Sequence, residues 1–266
     1  KVSIDINKDK KLIEKSFENN SATKIINIKK DITNPNIKVL FDGNPILNND
    51  FIREDPTIKI EVKDDNKYFL LDEETKINIS LKNLLTGVIT NYNSQSGDVK
   101  FTPAKDLSKN IATLEINPFL ENGEYILEAN AIDKFENIAG NNALEIRFIV
   151  DSKPKIGKVS NYPNPFSTST NFIFELTGGI PEHLKLQIFT ISGKLVREFD
   201  KMELGNIKIG KNYTELTWDG SDSFGNKLAN GVYLMKYVCS DSSIKFDDRI
   251  SDNLTTNGFG KIVLIR

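Results

Sequence analysis

The sequence predicts an all-β protein that contains two tandem antiparallel β-sandwich domains. Short runs of alternating apolar and polar residues recur along the chain, most of them bounded by Asn, Asp, Gly or Pro. Such period-two alternation is typical of sheets with one polar face. The length of 266 residues favours about two domains. A hydrophobic content of 38% allows packed cores, and the longest apolar runs are far too short to span a bilayer.

Charge and cysteine content exclude several classes of protein. The net charge is −2, with 35 basic and 37 acidic side chains interleaved. Because there is no basic stripe, a nucleic-acid partner is not expected. The single cysteine, Cys239, cannot form an internal disulfide, and we expect it to be a small apolar strand residue. The sequence starts at Lys1 without a signal peptide, so we expect a monomeric fragment of a larger protein.

Residues 1–33 fit neither sandwich and are expected to be the tail of a preceding domain or an edge segment. Residues 10–17 predict a turn or two of helix, or an edge strand. Residues 22–28 alternate and predict a strand.

Residues 34–150 predict the first sandwich. Its strand signals are short runs bounded by turn residues. These runs are residues 37–41, 57–62, 76–81, 99–102, 112–116, 125–129 and 144–150.

Residues 151–160 are expected to form a linker, because Pro154 has no N–H for a central strand. Residues 161–266 predict the second sandwich. Its strand signals are residues 171–176, 184–191, 194–199, 213–218, 232–237 and 261–265. The polar residues between Ser240 and Gly260 predict a long hairpin loop.

Two acidic turns are candidate calcium sites. Trp218 is expected to anchor the second core, and Asp219 and Asp222 follow it in a turn where they can bond backbone amides or hold calcium. In the first domain, Asp133 lies in a corner that ends near Asn141. Asp64, Asp65 and Asp72 could approach Asp133 from another loop. We expect Asx-stabilised turns at both places and no cofactor, with calcium as the alternative.

Catalytic residues are not expected in this chain. The only histidine, His183, lies where a turn enters a strand, and it has no neighbouring nucleophile motif. One His and one Cys do not supply the three or four ligands that zinc needs. We therefore expect a non-enzymatic chain, with any catalytic domain upstream of it.

Residues 158–266 resemble the C-terminal sorting domain that marks cargo of the bacterial type IX secretion system. The matching motifs are Asn161-Tyr-Pro-Asn-Pro-Phe166, Ile191-Ser-Gly-Lys-Leu-Val196, Trp218-Asp-Gly220, Asn230-Gly-Val-Tyr233 and the final apolar strand. The candidate sorting residues are Asn161, Pro163, Asn164, Pro165, Phe166, Lys261, Ile262, Val263, Leu264 and Ile265. The loop between Ser240 and Gly260 is longer than is typical of that family.

Two further resemblances keep alternatives open. The Trp-Asp-Gly and Asn-Gly-Val-Tyr motifs are equally similar to the Ig-like domain of flagellar hook-capping proteins. Residues 34–150 resemble the Ig-like domain that precedes the sorting domain at the C-terminus of gingipain-type cysteine peptidases and the related sortase. The expected fold is therefore two Ig-like sandwiches in tandem.

The sorting resemblance implies a stalk and address module of a large exported Gram-negative protein. It implies passage through the periplasm to the cell surface, outer membrane or medium. The implied partners are the translocon, the shuttle protein and the sortase. We expect the final strand to be recognised by edge pairing, because its backbone groups are the last to be covered. An adhesin-like binding module and a hook-cap-like assembly domain are the alternatives.

Overall fold

The fold is nearly all β, which confirms the predicted fold class. The computed structural model describes residues 2–26, 31–66, 68–72, 75–94, 96–97, 99–140, 143–240 and 259–266. The helix α1 (Lys201–Leu204) is a single turn whose N-cap, Asp200, accepts N–H groups of Met202 and Glu203. Within the described ranges no helix has the length and apolar character needed to cross a membrane.

The N-terminal segment forms a hairpin. Strand β1 (Val2–Asp5) pairs antiparallel with β2 (Ser21–Lys24), and both strands are exposed. Residues 10–17 form neither helix nor strand, so that prediction is wrong. The Asn7 side chain bonds both the N–H and the C=O of Leu12, and such local bonds compete with regular structure. The strand predicted at residues 22–28 covers part of β2, and its positions 27 and 28 lie outside the described residues.

The first sandwich packs two sheets around one core. Its strands are β3 (Asn36–Phe41), β4 (Asp50–Ile52), β5 (Ile58–Lys63), β6 (Lys76–Asn83), β7 (Ile89–Asn93), β8 (Lys100–Thr102), β9 (Ile111–Ile116), β10 (Gly123–Ile132) and β11 (Leu144–Val150). The sheet orders are β3-β5-β9-β8 and β4-β11-β10-β6-β7. Strand β4 pairs parallel with β11. The alternation in β5 buries Ile58, Ile60 and Val62 completely.

The second sandwich has the same two-layer construction. Its strands are β12 (Lys155–Tyr162), β13 (Thr170–Thr177), β14 (His183–Thr190), β15 (Leu195–Asp200), β16 (Gly210–Trp218), β17 (Gly231–Ser240) and β18 (Gly260–Leu264). The sheet orders are β12-β13-β16 and β15-β14-β17-β18. Phe172, Phe174 and Leu186 are fully buried between the sheets.

The segment expected as a linker contains the start of β12. Ile156 and Val159 are both buried in the second core despite a register shift in β12, so much of residues 155–160 belongs to the second sandwich. The connection before it is tied to the end of β13, because the Thr177 hydroxyl donates to the Lys153 carbonyl at 2.6 Å. The loop expected between Ser240 and Gly260 falls largely outside the described residues, but β17 and β18 on either side of it pair antiparallel.

The two sandwiches contact each other through β4 and β16. The Lys211 N–H donates to Asp50 Oδ1 at 3.2 Å, and Asp50 is buried. A cleft of about 690 Å³ lies beside this contact. Apolar residues such as Ile46 and Ile207 line it together with the charged Arg53.

Candidate functional site

The final strand, β18, is at one end of its sheet. Its inner side pairs with β17, from Gly231 opposite Leu264 to Met235 opposite Gly260. The side chains of Ile262 and Leu264 are fully buried, whereas Lys261 is exposed. The predicted apolar strand therefore contributes one face to the core and leaves the other on the surface.

The outer side of β18 is covered by residues 161–166, named here the proline segment. The Asn164 side chain donates to the Lys261 carbonyl at 2.8 Å and accepts the Val263 N–H at 2.9 Å. The Phe166 N–H donates to the Val263 carbonyl at 3.0 Å, and the Ile265 N–H donates to the Phe166 carbonyl at 2.9 Å. These four bonds bear on the expected edge pairing of the final strand, because they already occupy backbone groups on its outer side.

Hydrogen bonds from the side chains of Asn161 and Thr170 hold the proline segment in place. The buried Asn161 side chain donates to the Pro163 carbonyl at 3.1 Å and to the Thr170 hydroxyl at 2.9 Å. That hydroxyl donates in turn to the Pro163 carbonyl at 2.9 Å. The Tyr162–Pro163 and Asn164–Pro165 peptide bonds are cis. The sorting residues predicted at the two ends of the domain therefore form one connected structure.

An aromatic cluster lies under this structure. Trp218 is 2% exposed, which confirms the predicted core anchor. Its ring centroid is 5.5 Å from that of Phe166 and 6.1 Å from that of Tyr233. The indole N–H donates to the Ser221 carbonyl at 2.8 Å, so its polar atom is satisfied. Burial raises the pKa of the Tyr233 phenol, and the charge of Arg266 opposes that rise.

Residues of the Trp-Asp-Gly and Asn-Gly-Val-Tyr motifs hold Arg266. Its guanidinium donates to the carbonyls of Asp219 at 2.7 Å, Gly220 at 3.2 Å and Leu228 at 2.9 Å. Its backbone N–H and C=O both bond the Asn230 side chain, at 2.9 and 3.1 Å. Both motifs thus fix the residue that follows the final strand.

Asp219 and Asp222, the calcium candidates of the second sandwich, serve as turn acceptors. Asp219 pairs with Lys227, and this bond is the main reason why the pKa of Asp219 is lowered. Asp222 accepts the Phe224 N–H at 2.9 Å and the Asn226 N–H at 2.8 Å. The described residues do not group either carboxylate with two others.

Three other carboxylates do come together in the first sandwich. Ligand atoms of Asp31, Asp64 and Asp133 all lie within 4.8 Å of one another, and Asp64 and Asp133 are buried. Of the residues expected near Asp133, Asp64 is in this cluster. Asp65 pairs with Lys63 at 2.9 Å, and Asp72 pairs with Lys134 at 3.7 Å. Asp31 is not among the residues expected near Asp133, because it lies in the segment assigned outside the sandwich.

The electrostatics of this acidic cluster follow from burial and like charge. Burial raises the pKa of Asp64, and the charges of Asp31 and Asp133 raise it further. Burial also opposes ionisation of Asp31, but hydrogen bonds from Thr33 and Asn66 outweigh it and lower the pKa. Carboxylate oxygens are ligands that calcium prefers, so this donor set could hold a hard cation. Asp133 Oδ1 already accepts the Phe135 N–H at 2.8 Å.

His183 and Cys239 do not form a catalytic pair. In the antiparallel register His183 lies opposite Ser240, and Cys239 lies opposite the buried Leu184. Neighbouring positions along a strand point to opposite faces of the sheet, so His183 and Cys239 project to different sides.

Comparisons with known proteins give structural likenesses but no matching family. Neither a protein-family model nor a curated protein matches the chain. Among solved structures, it is similar to the crystal structure of dimeric latent PorU from Porphyromonas gingivalis, at 19% identity and a TM-score of 0.34. The match covers 88% of this chain and 20% of the PorU chain, so the present chain spans about a fifth of that protein. At this TM-score the likeness does not assign a function.

Proposed function

We propose that this chain is the C-terminal stalk and surface-sorting module of a larger exported bacterial protein, and that the type IX secretion machinery recognises its second sandwich. The proposal combines the sorting-domain resemblance of residues 158–266 with the construction around β18. The first sandwich acts as the stalk, and the second acts as the address. The partners are the translocon, the shuttle protein and the sortase.

One observation carries the proposal. Three of the motifs behind the resemblance converge on the last residues of the chain: Asn164 and Phe166 hold β18, while Gly220 and Asn230 hold Arg266. A module read at its C-terminal end needs that end in a fixed geometry.

Export of a fusion protein tests the proposal. The full chain is fused to a periplasm-targeted fluorescent protein in a cell with a working type IX system, beside a known cargo tail. We expect the fusion at the surface or in the medium. Deletion of residues 261–266 should retain it in the periplasm. If the intact fusion stays periplasmic while the known cargo is exported, the hook-cap-like or adhesin-like alternative takes its place.

Surface variants separate recognition from folding. The double variant Lys261→Ser with Ile265→Ser changes exposed side chains and keeps the buried Ile262 and Leu264. It should fold normally and lose most export. The matched control is Val238→Ser, which changes a 36% exposed apolar residue of the same sheet at the far end of β17. Equal export of both variants would count against recognition at β18.

We also propose that this chain has no hydrolytic activity of its own. The opposite orientations of His183 and Cys239 support this, since a nucleophile needs a base within hydrogen-bond reach. Peptidase turnover by the purified chain that is abolished by Cys239→Ala would overturn it.

A further inference from the structure

The edge of the sheet that contains β18 is closed in an unusual way. A strand at the end of a sheet normally presents a row of free N–H and C=O groups, which other chains can pair with. Four such groups along residues 261–265 have partners in the proline segment: the carbonyls of Lys261 and Val263 and the N–H groups of Val263 and Ile265. Each is bonded to Asn164 or Phe166. The Asn164 side chain bonds the Lys261 carbonyl and the Val263 N–H, and the Phe166 backbone bonds the other two groups.

The proline segment does not extend the hydrogen-bond ladder of the sheet to a further strand. Phe166 turns both its N–H and its C=O towards β18, where it bridges Leu264 in parallel. Pro163 and Pro165 have no N–H to donate to a further strand. The segment therefore satisfies backbone groups at the edge of β18, and its two prolines offer no N–H group to a further strand.

We propose that the proline segment is an edge cover, which keeps β18 from pairing with the same strand of a second copy of this chain. Strand β18 suits such pairing, because Lys-Ile-Val-Leu-Ile contains no acidic residue and no proline. Antiparallel pairing about Val263 would be self-complementary, as a two-fold contact requires. This inference goes beyond the proposed function and does not depend on it.

Two matched alanine variants test the cover. Asn164→Ala removes the two side-chain bonds on the outer side of β18, at an exposed residue. Asn230→Ala also removes two bonds from an exposed asparagine, but these reach Arg266 from the β17 side. Both full-length variants should keep the native circular dichroism spectrum. The variant Asn164→Asp keeps the acceptor for the Val263 N–H but loses the donor to the Lys261 carbonyl, so it should protect that amide better than Asn164→Ala and less than the native residue.

Hydrogen exchange and peptide binding give the readout. We expect the Val263 amide to exchange about tenfold faster in Asn164→Ala, and at the native rate in Asn230→Ala. A fluorescein-labelled peptide that copies residues 260–266 should bind Asn164→Ala and not the native chain or Asn230→Ala, as measured by fluorescence anisotropy. Sedimentation velocity should show self-association of Asn164→Ala alone.

Three outcomes would overturn the proposal. The first is equal Val263 exchange in the two alanine variants, because the cover would then not protect the edge. The second is peptide binding by the native chain, because the edge would then already be open. The third is faster exchange in Asn164→Ala without peptide binding or self-association, because an edge freed from both Asn164 bonds would then accept no strand.

Discussion

At the residue scale, Trp218 connects the core of the second sandwich to the surface structure around β18. We predict that Trp218→Ala costs about 3–5 kcal/mol, because it removes a large buried ring and its contacts with Phe166 and Tyr233. Urea unfolding of the full chain, followed by circular dichroism, measures this change. The control Phe224→Ala removes a 90% exposed ring from the adjoining turn and should change stability by less than about 0.5 kcal/mol. A loss below about 1 kcal/mol for Trp218→Ala would contradict its role as an anchor.

A second residue-scale prediction concerns Asp64, whose pKa is raised by burial and by neighbouring carboxylates. A carboxyl group with a raised pKa favours the folded state most at low pH, and that contribution is lost as pH rises through the folded pKa. An asparagine side chain at this position would stay neutral at every pH and could still accept the Asn66 N–H. We therefore predict that Asp64→Asn, at pH 7 with a chelator, raises the unfolding temperature of the first sandwich by about 2–4 °C.

The pH profile and a control variant check the Asp64 prediction. The advantage of Asp64→Asn should disappear below the ordinary Asp pKa of 3.8, where Asp64 is protonated in both states. Asp65→Asn changes an exposed carboxyl group paired with Lys63 and should have little effect. A native-like or lower midpoint for Asp64→Asn at pH 7 would contradict the prediction. Added calcium tests the hypothesis that the cluster binds a cation. That hypothesis requires calcium to raise the unfolding temperature of the native protein, and to raise that of Asp64→Asn by less.

At the element scale, the turn after β16 is shaped by its contact with the end of the chain. Gly220 has a φ of +72°, and a Cβ there would lie 2.7 Å from Arg266 Nη2 and 3.1 Å from Leu264. Gly225 in the same turn has a φ of +85° and open space around it. Alanine at either position is strained by about 1–2 kcal/mol, because both need the left-handed conformation.

We predict that Gly220→Ala is the more destabilising of these two variants, by about 1 kcal/mol. The added methyl group displaces Arg266 and weakens its bonds to the Asp219 and Gly220 carbonyls. Thermal unfolding of the two variants measures the difference. Most of the extra cost should vanish when both are placed on an Arg266→Ala background, where only the close approach to Leu264 remains. If it persists there, the contact with Arg266 is not its cause.

Elements with regular alternation were predictable, and elements defined by distant partners were not. Strand β5 was predicted because Ile58, Ile60 and Val62 alternate with polar residues. Strand β7 was missed because its residues are mostly polar and exposed, and β4 was missed because it is short and pairs parallel with β11. The bonds from Asn164 to β18 join residues almost a hundred positions apart, so no local pattern signals them.

At the scale of the whole molecule, the sequence indicated two sandwiches but not how they meet. Pro154 suggested a linker, and a linker of that kind implies independent domains. The structure instead places β4 of the first sandwich against β16 of the second, with the buried Asp50 accepting the Lys211 N–H. Asp50 and Lys211 are far apart in sequence, and neither lies in a motif that signals a contact. Their contact follows from the tertiary arrangement of both domains, which alternation within single strands does not encode.

The last prediction concerns the rigidity of this contact between the sandwiches. Gly210 has a φ of +86°, and a Cβ there would lie 2.6 Å from the Phe51 carbonyl oxygen, which is backbone and cannot move aside easily. Gly193 has a φ of +85° with nothing within 4 Å, so alanine there experiences the same backbone strain without the clash. We predict that Gly210→Ala is about 1–3 kcal/mol more destabilising than Gly193→Ala, because the sandwiches must separate or distort. Thermal unfolding measures this cost, and small-angle X-ray scattering should show a larger radius of gyration for Gly210→Ala alone. Equal unfolding midpoints and equal radii for the two variants would mean that β4 and β16 are not held together in solution, and that the two sandwiches move independently.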